Sequence, residues 1–377
     1  MRLHLIFHGR FPSDKAASLF AAKSAEAFAD RGMPVTLIVP RLLGREAGDP
    51  YLYYGVKKNF TISCLSVLDM GTSEVFRRLR FSVSFLTFSV TVFLHLLFKA
   101  RKDDLVYSNE WLPLLFASFR FRRTVYEMHD FPESNLAFFG WFMRRMRRVV
   151  IHNRWKMLQS GKRFSVRDDA LCYEPNAVDI GKFRIAATGQ SARSTLNLPA
   201  GKKIVVYTGH LYRWKGVDVL AAAAEKLSDE YLVAFVGGTA EETGAFREKY
   251  GCRANILIAG FRPHDEIPLW QKAADVLVLP NTAKENISAY YTSPMKLFEY
   301  AASGRPIVAS DIPSIRELLS ENTAFLVAPD NPKALALGIR RACEDKDRNE
   351  RAKRAFAWVK NHTWGKRAGR ILEFALK

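Results

Sequence analysis

The chain reads as an α/β protein built from two doubly wound parallel sheets. Three observations predict this class. Short, continuous apolar runs alternate with helical patterns from end to end, as parallel strands covered on both faces require. The 377 residues exceed what one ordinary core needs and suit two domains. Near the middle, the polar stretch Gly181 to Lys202 holds no long apolar run and makes the best linker.

Taken in order, strands are expected at Arg2 to Phe7, Val35 to Val39, Leu105 to Tyr107, Thr124 to Met128, Val149 to His152 and Ala170 to Tyr173. In the second half they are expected at Lys203 to Thr208, Leu232 to Val236, Ile256 to Ala259, Val276 to Leu279, Ile307 to Ser310 and Ala324 to Val327. Right-handed crossovers through the intervening helices then order each set into one sheet. The boundary is placed near Ile185, giving domains over 1–185 and 186–362, and Thr363 to Lys377 has the spacing of a last helix. Ligands of open α/β sheets bind outside the carboxyl ends of the strands, so the active site is expected in a cleft between the two domains.

A hydrophobic fraction of 48% and a charged fraction of 25% are those of a globular protein rather than a disordered one. The charge balance is less ordinary. Residues 1 to 185 carry 29 Lys+Arg against 17 Asp+Glu, and residues 186 to 377 carry 28 against 21. The differences, +12 and +7, make up the net +19 and attract polyanions: anionic lipid, nucleic acid or a phosphorylated substrate. Cys64, Cys172, Cys252 and Cys343 stand far apart with no metal or disulfide spacing, which points to a reducing compartment. The opening MRLHLIFHG is too short for a signal peptide and reads as the first strand.

Phe81 to Phe98 runs eighteen residues without a formal charge between Arg77, Arg78, Arg80 and Lys99, Arg101, Lys102. That meets the minimum for a spanning helix, but five Ser/Thr and His95 argue against one. A buried or membrane-facing helix, an interfacial anchor and a span all stay open. From Gly140 to Arg163, basic residues interleave with Trp141, Phe142, Met143, Met146, Trp155 and Met157, which suits an anionic membrane surface as well as a solvated helix face.

The residues that could carry chemistry lie at strand ends. The strand IVVYT runs into Gly209, His210, Arg213 and Lys215, and a helix follows. A strand-end glycine, cations and free helix N–H groups are what a diphosphate needs, although an ordinary basic turn has the same parts. The stretch Ser293 to Leu318 reads as loop, helix entry, glycine turn, buried strand and acidic turn, with Glu299 inside the helix pattern. A carboxylate there can accept two hydrogen bonds from a cis-diol, or simply hold an ion-pair partner. Glu127-Met-His129-Asp130 ends another strand, and Gly260-Phe261-Arg262 a third.

These segments resemble the retaining family 4 glycosyltransferases of bacterial cell-surface glycan type. TGHLYRWKGVD is similar to their G-R-L-x-x-x-K-G-x-D, with His210 at the arginine position, and the 293–318 stretch to their nucleotide-sugar loop, with Tyr291 where a first glutamate usually stands. Glu174 to Asp179 resembles their P-N-G-V-D turn with Ala177 for glycine, and Ala16-Ala17 stands where a Gly-Gly pair is usual. The resemblance implies the glycosyltransferase B fold, two facing Rossmann-like domains with the last helix crossing back onto the first. It assigns Gly209, His210, Arg213, Lys215, Gly260, Phe261, Arg262, Ser293, Pro294, Met295, Lys296 and Glu299 to the donor, with Glu299 on the ribose and Lys215 on the phosphates. It makes His129, Lys215 and Glu299 the catalytic set, and Gly9, Arg10, Ala17, Glu127 and Asp130 the acceptor side.

The function implied is transfer of a sugar from a nucleoside-diphosphate-sugar to a glycan or lipid-linked acceptor with retention, in polysaccharide or lipopolysaccharide synthesis. No cofactor and no metal are expected. The protein is expected to be cytoplasmic, peripheral at the anionic inner face of the cell membrane, and not to bind nucleic acid. A catalytically impaired nucleotide-sugar-binding protein and a nucleotide-sugar epimerase of the same fold are the alternatives.

Overall fold

A computed structural model describes residues 1–42, 48–69 and 77–377. The elements run β1 (Leu3–Ile6), α1 (Ala16–Ala29), β2 (Val35–Arg41), α2 (Pro50–Tyr54), β3 (Thr61–Ser66), α3 (Arg77–Lys99), β4 (Leu105–Ser108), α4 (Trp111–Ala117), β5 (Arg123–Met128), α5 (Leu136–Arg145), β6 (Arg148–Ile151), α6 (Arg154–Phe164) and β7 (Leu171–Tyr173). They continue with α7 (Ile180–Phe183), α8 (Gly189–Thr195), β8 (Lys203–Thr208), α9 (Val217–Ala224), β9 (Tyr231–Val236), α10 (Ala240–Tyr250), β10 (Ile256–Gly260), α11 (Ile267–Ala273) and β11 (Val276–Leu279). The chain ends with α12 (Met295–Ser303), β12 (Ile307–Ser310), α13 (Pro313–Arg316), β13 (Phe325–Val327), α14 (Pro332–Glu344), α15 (Arg348–Val359) and α16 (Trp364–Leu376).

The strands form two parallel sheets, ordered β3-β2-β1-β4-β5-β6-β7 and β10-β9-β8-β11-β12-β13. Each therefore winds in both directions from a switch point, β1/β4 in one and β8/β11 in the other, as the class predicted. The first compact unit comprises Met1–Glu174 with Trp364–Lys377, and the second Pro175–Thr363.

In the second unit successive residues of each strand enter opposite cores. Ile204, Val206, Ala234 and Leu277 pack in one layer, and Val205, Tyr207, Val233 and Val276 in the other. Period-two alternation of wholly apolar strands is what a sheet covered on both faces imposes.

The division at Glu174/Pro175 corrects the boundary expected near Ile185. Val178 and Phe183 are buried in the second unit's core, and Asn176 is bonded to Ser293, so the residues after β7 already belong there. Polar composition marked the stretch after them rather than the change of core. One strand went unread: β3, Thr-Ile-Ser-Cys-Leu-Ser, pairs among the described residues only with β2 at the sheet edge, and none of its positions is fully buried. An edge strand needs no continuous apolar run.

The last helix packs on the first unit. In α16, Arg367, Ala368, Ile371, Leu372 and Ala375 are buried against α1, β5 and β6. In α3, Phe85, Phe88, Val92 and Leu96 are buried, whereas its opposite face is exposed.

Candidate functional site

The carboxyl ends of β8, β9 and β10 carry glycines in the left-handed half of backbone space: Gly209 (φ +117°), Gly237 (+118°), Gly238 (+89°) and Gly260 (+72°). Crowding explains one of them directly. A Cβ on Gly237 would lie 2.7 Å from the Gly209 carbonyl oxygen, and Gly237 N–H donates to the Gly260 carbonyl at 2.7 Å. The result is bare backbone across three neighbouring strand ends beside the switch point. Tyr300 of α12 holds the end of β8, its hydroxyl accepting from Thr208 N–H at 2.8 Å.

After Gly209 the chain makes a single 3-10 turn, Arg213–Lys215, and enters α9 through Gly216 at φ +74°. A Cβ on Gly216 would sit 1.7 Å from the Pro280 carbonyl oxygen, so only glycine fits. Lys215 is half-buried over the rings of Tyr212 and Trp214, at 5.3 and 5.2 Å. Loss of water holds its ammonium down at about 8, against a partial counter-effect from Glu242.

Lys296, second residue of α12, brings its Nζ to the same strand end. It lies 3.8 Å from the Tyr207 ring centre and beside Gly209, where a Cβ would meet it at 3.2 Å. Nζ is buried and makes no hydrogen bond among the described residues. Desolvation, reinforced by the Lys215 charge and opposed by Glu299, pushes its pKa well below the usual lysine range. Two lysine amines thus approach a glycine-lined strand end with little there to neutralise their charged form.

Glu299, one turn further along α12, places Oε1 3.4 Å from His264 Nε2, a histidine of the loop after β10 that sequence reasoning did not single out. Phe261 in that loop is 57% exposed, and Arg262 lies 5.9 Å from the Trp270 ring. Pro294 is the residue before α12 and gives it no side-chain cap, so Met295 and Lys296 open the helix. A single π-helical turn, Ile287–Tyr291, precedes it and ends on Tyr291.

Three donor-side expectations change. Ser293 is buried and fastens the loop: its hydroxyl accepts from Asn176 N–H at 3.2 Å and its carbonyl from Asn176 Nδ2 at 2.5 Å. His210 already has an anionic partner in the chain, Glu242, 3.1 Å from Nδ1, and stacks on Tyr212. Arg213 is exposed, and its charge acts on Asp218, which Lys249 and Tyr250 also hold. Glu242, which also accepts from Leu211 N–H at 2.8 Å, and Gly237-Gly238 were missed. The Gly-Gly pair directly after a strand was the available signal for the latter.

In the first unit the expected residues gather around β5. Glu127 is buried and accepts from Tyr107 and from Arg367 of α16, while His129 Nε2 lies 3.4 Å from its Oε1. Burial pushes this carboxyl up, but Arg367, His129 and Tyr107 outweigh it and hold it down at about 2. The His129 ring is set edge-on to Phe20 at 4.9 Å and stacked on His152 at 5.3 Å, and Lys156 donates to its backbone carbonyl at 2.7 Å. Glu127 is therefore taken up by Tyr107 and Arg367 with His129 close by, and Asp130 beside it is exposed.

Gly9 lies over Phe7, where a Cβ would meet the ring at 2.4 Å, and Arg10 and Ala17 are exposed at the entry to α1. Near them sits a carboxyl not foreseen, Glu110, at the end of β4. It accepts from His8 N–H at 3.2 Å, and burial raises it to about 7.

The basic, aromatic stretch 140–163 is largely used internally. Arg144 donates to the Phe164 carbonyl, Arg148 to that of Phe374, and Arg145 lies 4.2 Å from the Phe119 ring, while Phe142 and Met143 are buried. No group of three or more His, Cys, Asp or Glu able to hold a metal ion occurs among the described residues.

Residues 190–357, nearly all of the second unit, match the family model of glycosyl transferases group 1. TuaC of Bacillus subtilis, named as a teichuronic acid biosynthesis glycosyltransferase, is 26% identical over 57% of the chain and 52% of its own length. A D-inositol 3-phosphate glycosyltransferase of Catenulispora acidiphila is 29% identical over 45% and 42%. The match thus spans about half the length of these curated relatives. Among solved structures, Anabaena HepE in complex with UDP superposes at a TM-score of 0.76, with 18% identity over 99% of both chains. The two units thus have the glycosyltransferase B architecture, and the group 1 segment supplies the glycine-lined strand ends, Lys215, Lys296 and Glu299.

Proposed function

We propose that the protein is a retaining glycosyltransferase of family 4 that uses a nucleoside-diphosphate-sugar. The observation that carries this is the Lys296 ammonium, buried and without a hydrogen bond beside Gly209, with Lys215 close by. Buried charge of one sign calls for a ligand of the other, and a diphosphate fits a site of two lysines, bare backbone and helix N–H groups. Charge developing on the leaving diphosphate is stabilised by these fixed groups. Glu299, three residues on, suits the ribose diol, and exposed Phe261 offers a face to the base.

In the same reading His129, beside the Glu127–Arg367 ion pair, belongs to the acceptor site of the first unit, with Gly9, Arg10, Ala17 and Asp130. The acceptor is a glycan or a lipid-linked saccharide of the cell surface, and the enzyme is cytoplasmic and peripheral on the anionic inner face of the membrane. Incubation with UDP-, GDP- and ADP-sugars tests the activity through slow release of free sugar. Lys215→Ala and Glu299→Gln should each abolish it, and hydrolysis that survives both substitutions would remove this assignment.

A further inference from the structure

Helix α3 is apolar on two faces, and among the described residues the first unit covers only one. Phe88, Val92 and Leu96 are wholly buried, and α3 packs on α4 and β3. On the opposite side Leu79, Leu86, Val90 and Leu94 are each 42 to 53% exposed and Phe98 is 83% exposed. At 100° per residue these five fall within one stripe, since 79, 86, 90, 94 and 98 follow steps of seven or four. No charged side chain interrupts the helix from Phe81 to Phe98.

The hydroxyls are also withdrawn. Thr87 donates to the Val83 carbonyl, Ser89 to that of Phe85 and Thr91 to that of Phe88, at 2.8, 2.6 and 3.0 Å, the arrangement that suits an apolar medium. The C-terminal end is basic. Lys99, Arg101 and Lys102 are exposed there, Arg122 is joined through its N–H to the Lys102 carbonyl, and Asp103 is the exposed acid among them.

We propose that the outer face of α3 docks on an anionic phospholipid surface, with the helix in the plane of the interface. Charge complementarity selects the occupant. A second copy of a chain carrying +19 would bring like charge to Lys99, Arg101 and Lys102, whereas anionic headgroups neutralise them while Leu86, Val90, Leu94 and Phe98 enter the acyl boundary. A span is disfavoured because the buried face would have to leave the sheet. The inference rests on the membrane-bound placement proposed above, and adds α3 to the contact of 140–163, where Arg144, Arg148 and Lys156 are turned to carbonyls of the chain.

Co-sedimentation with vesicles of phosphatidylglycerol and phosphatidylcholine, against phosphatidylcholine alone, tests it. The wild-type protein should partition at least about tenfold more strongly onto the anionic vesicles and lose that preference on raising NaCl from about 0.1 to 0.5 M. Val90→Glu with Leu94→Glu should lower partition about tenfold or more, and Lys99→Glu with Lys102→Glu should erase the anionic preference. Both variants should keep their circular dichroism and their thermal shift with UDP, which separates failure of docking from failure of donor binding. The proposal is overturned if wild type ignores anionic vesicles, or if the apolar variant binds them equally. It is equally overturned if the protein resists alkaline carbonate extraction as a span does, or forms a dimer that the apolar variant dissolves.

Discussion

At the end of β8 stand Lys215 and Lys296, two amines whose charged form the folded chain leaves poorly compensated. Burial lowers both pKa values, so below the folded pKa the unfolded chain binds these protons more tightly and the site costs stability. That cost disappears as pH rises through the folded pKa toward the usual lysine range. Lys296→Met should therefore raise the melting temperature, by about 2–4 °C for each kcal/mol relieved, while destroying nucleotide affinity. A melting temperature that falls would show the ammonium to be stabilised by the fold. Because only protonated Lys215 pairs with a diphosphate, calorimetric affinity for the nucleotide should fall by up to about tenfold per pH unit above 8. Gly216→Ala should cost about 1–2 kcal/mol from its backbone conformation alone, with more from the Pro280 carbonyl, read as a lower melting temperature. Lys215, Glu299, Gly209 and Gly260 were legible because each sits at a fixed offset from a strand or helix start. His264 and Glu242 were not, because what makes them matter is a contact 35 or 32 residues away in the chain.

Among the elements, α16 does more than close the chain. Its Arg367 is buried on Glu127, and Arg370 binds Glu174, so the C-terminal helix completes the ion pair behind His129. Arg367→Met would leave Glu127 buried without its arginine, with only Tyr107 and His129 beside it, at an expected cost of about 3–5 kcal/mol by denaturant unfolding. The Glu127 carboxyl is depressed to about 2, so its contribution is full above the ordinary glutamate pKa and is lost as pH falls through that value toward 2. An acid melt should show this loss in wild type and not in Glu127→Gln. The helical spacing of α16 was readable from sequence, whereas its pairing with residue 127 joins positions 240 apart. The edge strand β3 escaped for a different reason: half-buried throughout its middle and exposed at both ends, it lacks the buried run that exposed the other twelve.

Over the whole molecule, the two-sheet class followed from the alternation of apolar runs and helices, since a parallel sheet must be covered on both faces. Charge was readable as a total, +19, but not as a distribution, because a cation that meets a carbonyl or an aromatic ring looks the same in sequence as one in water. Arg144, Arg148 and Lys156 are of the first kind. The central claim is that the 189-residue second unit is a nucleoside-diphosphate-sugar site centred on Lys215, Lys296 and Glu299. Thermal shift of the intact protein with UDP, GDP and ADP and their sugars tests it most directly. One nucleoside diphosphate at about 100 times its Kd should raise the midpoint by about 5–11 °C, with the shift lost in Lys215→Ala and cut by Glu299→Gln. No shift with any of them, or an equal shift in Lys215→Ala, would contradict the account.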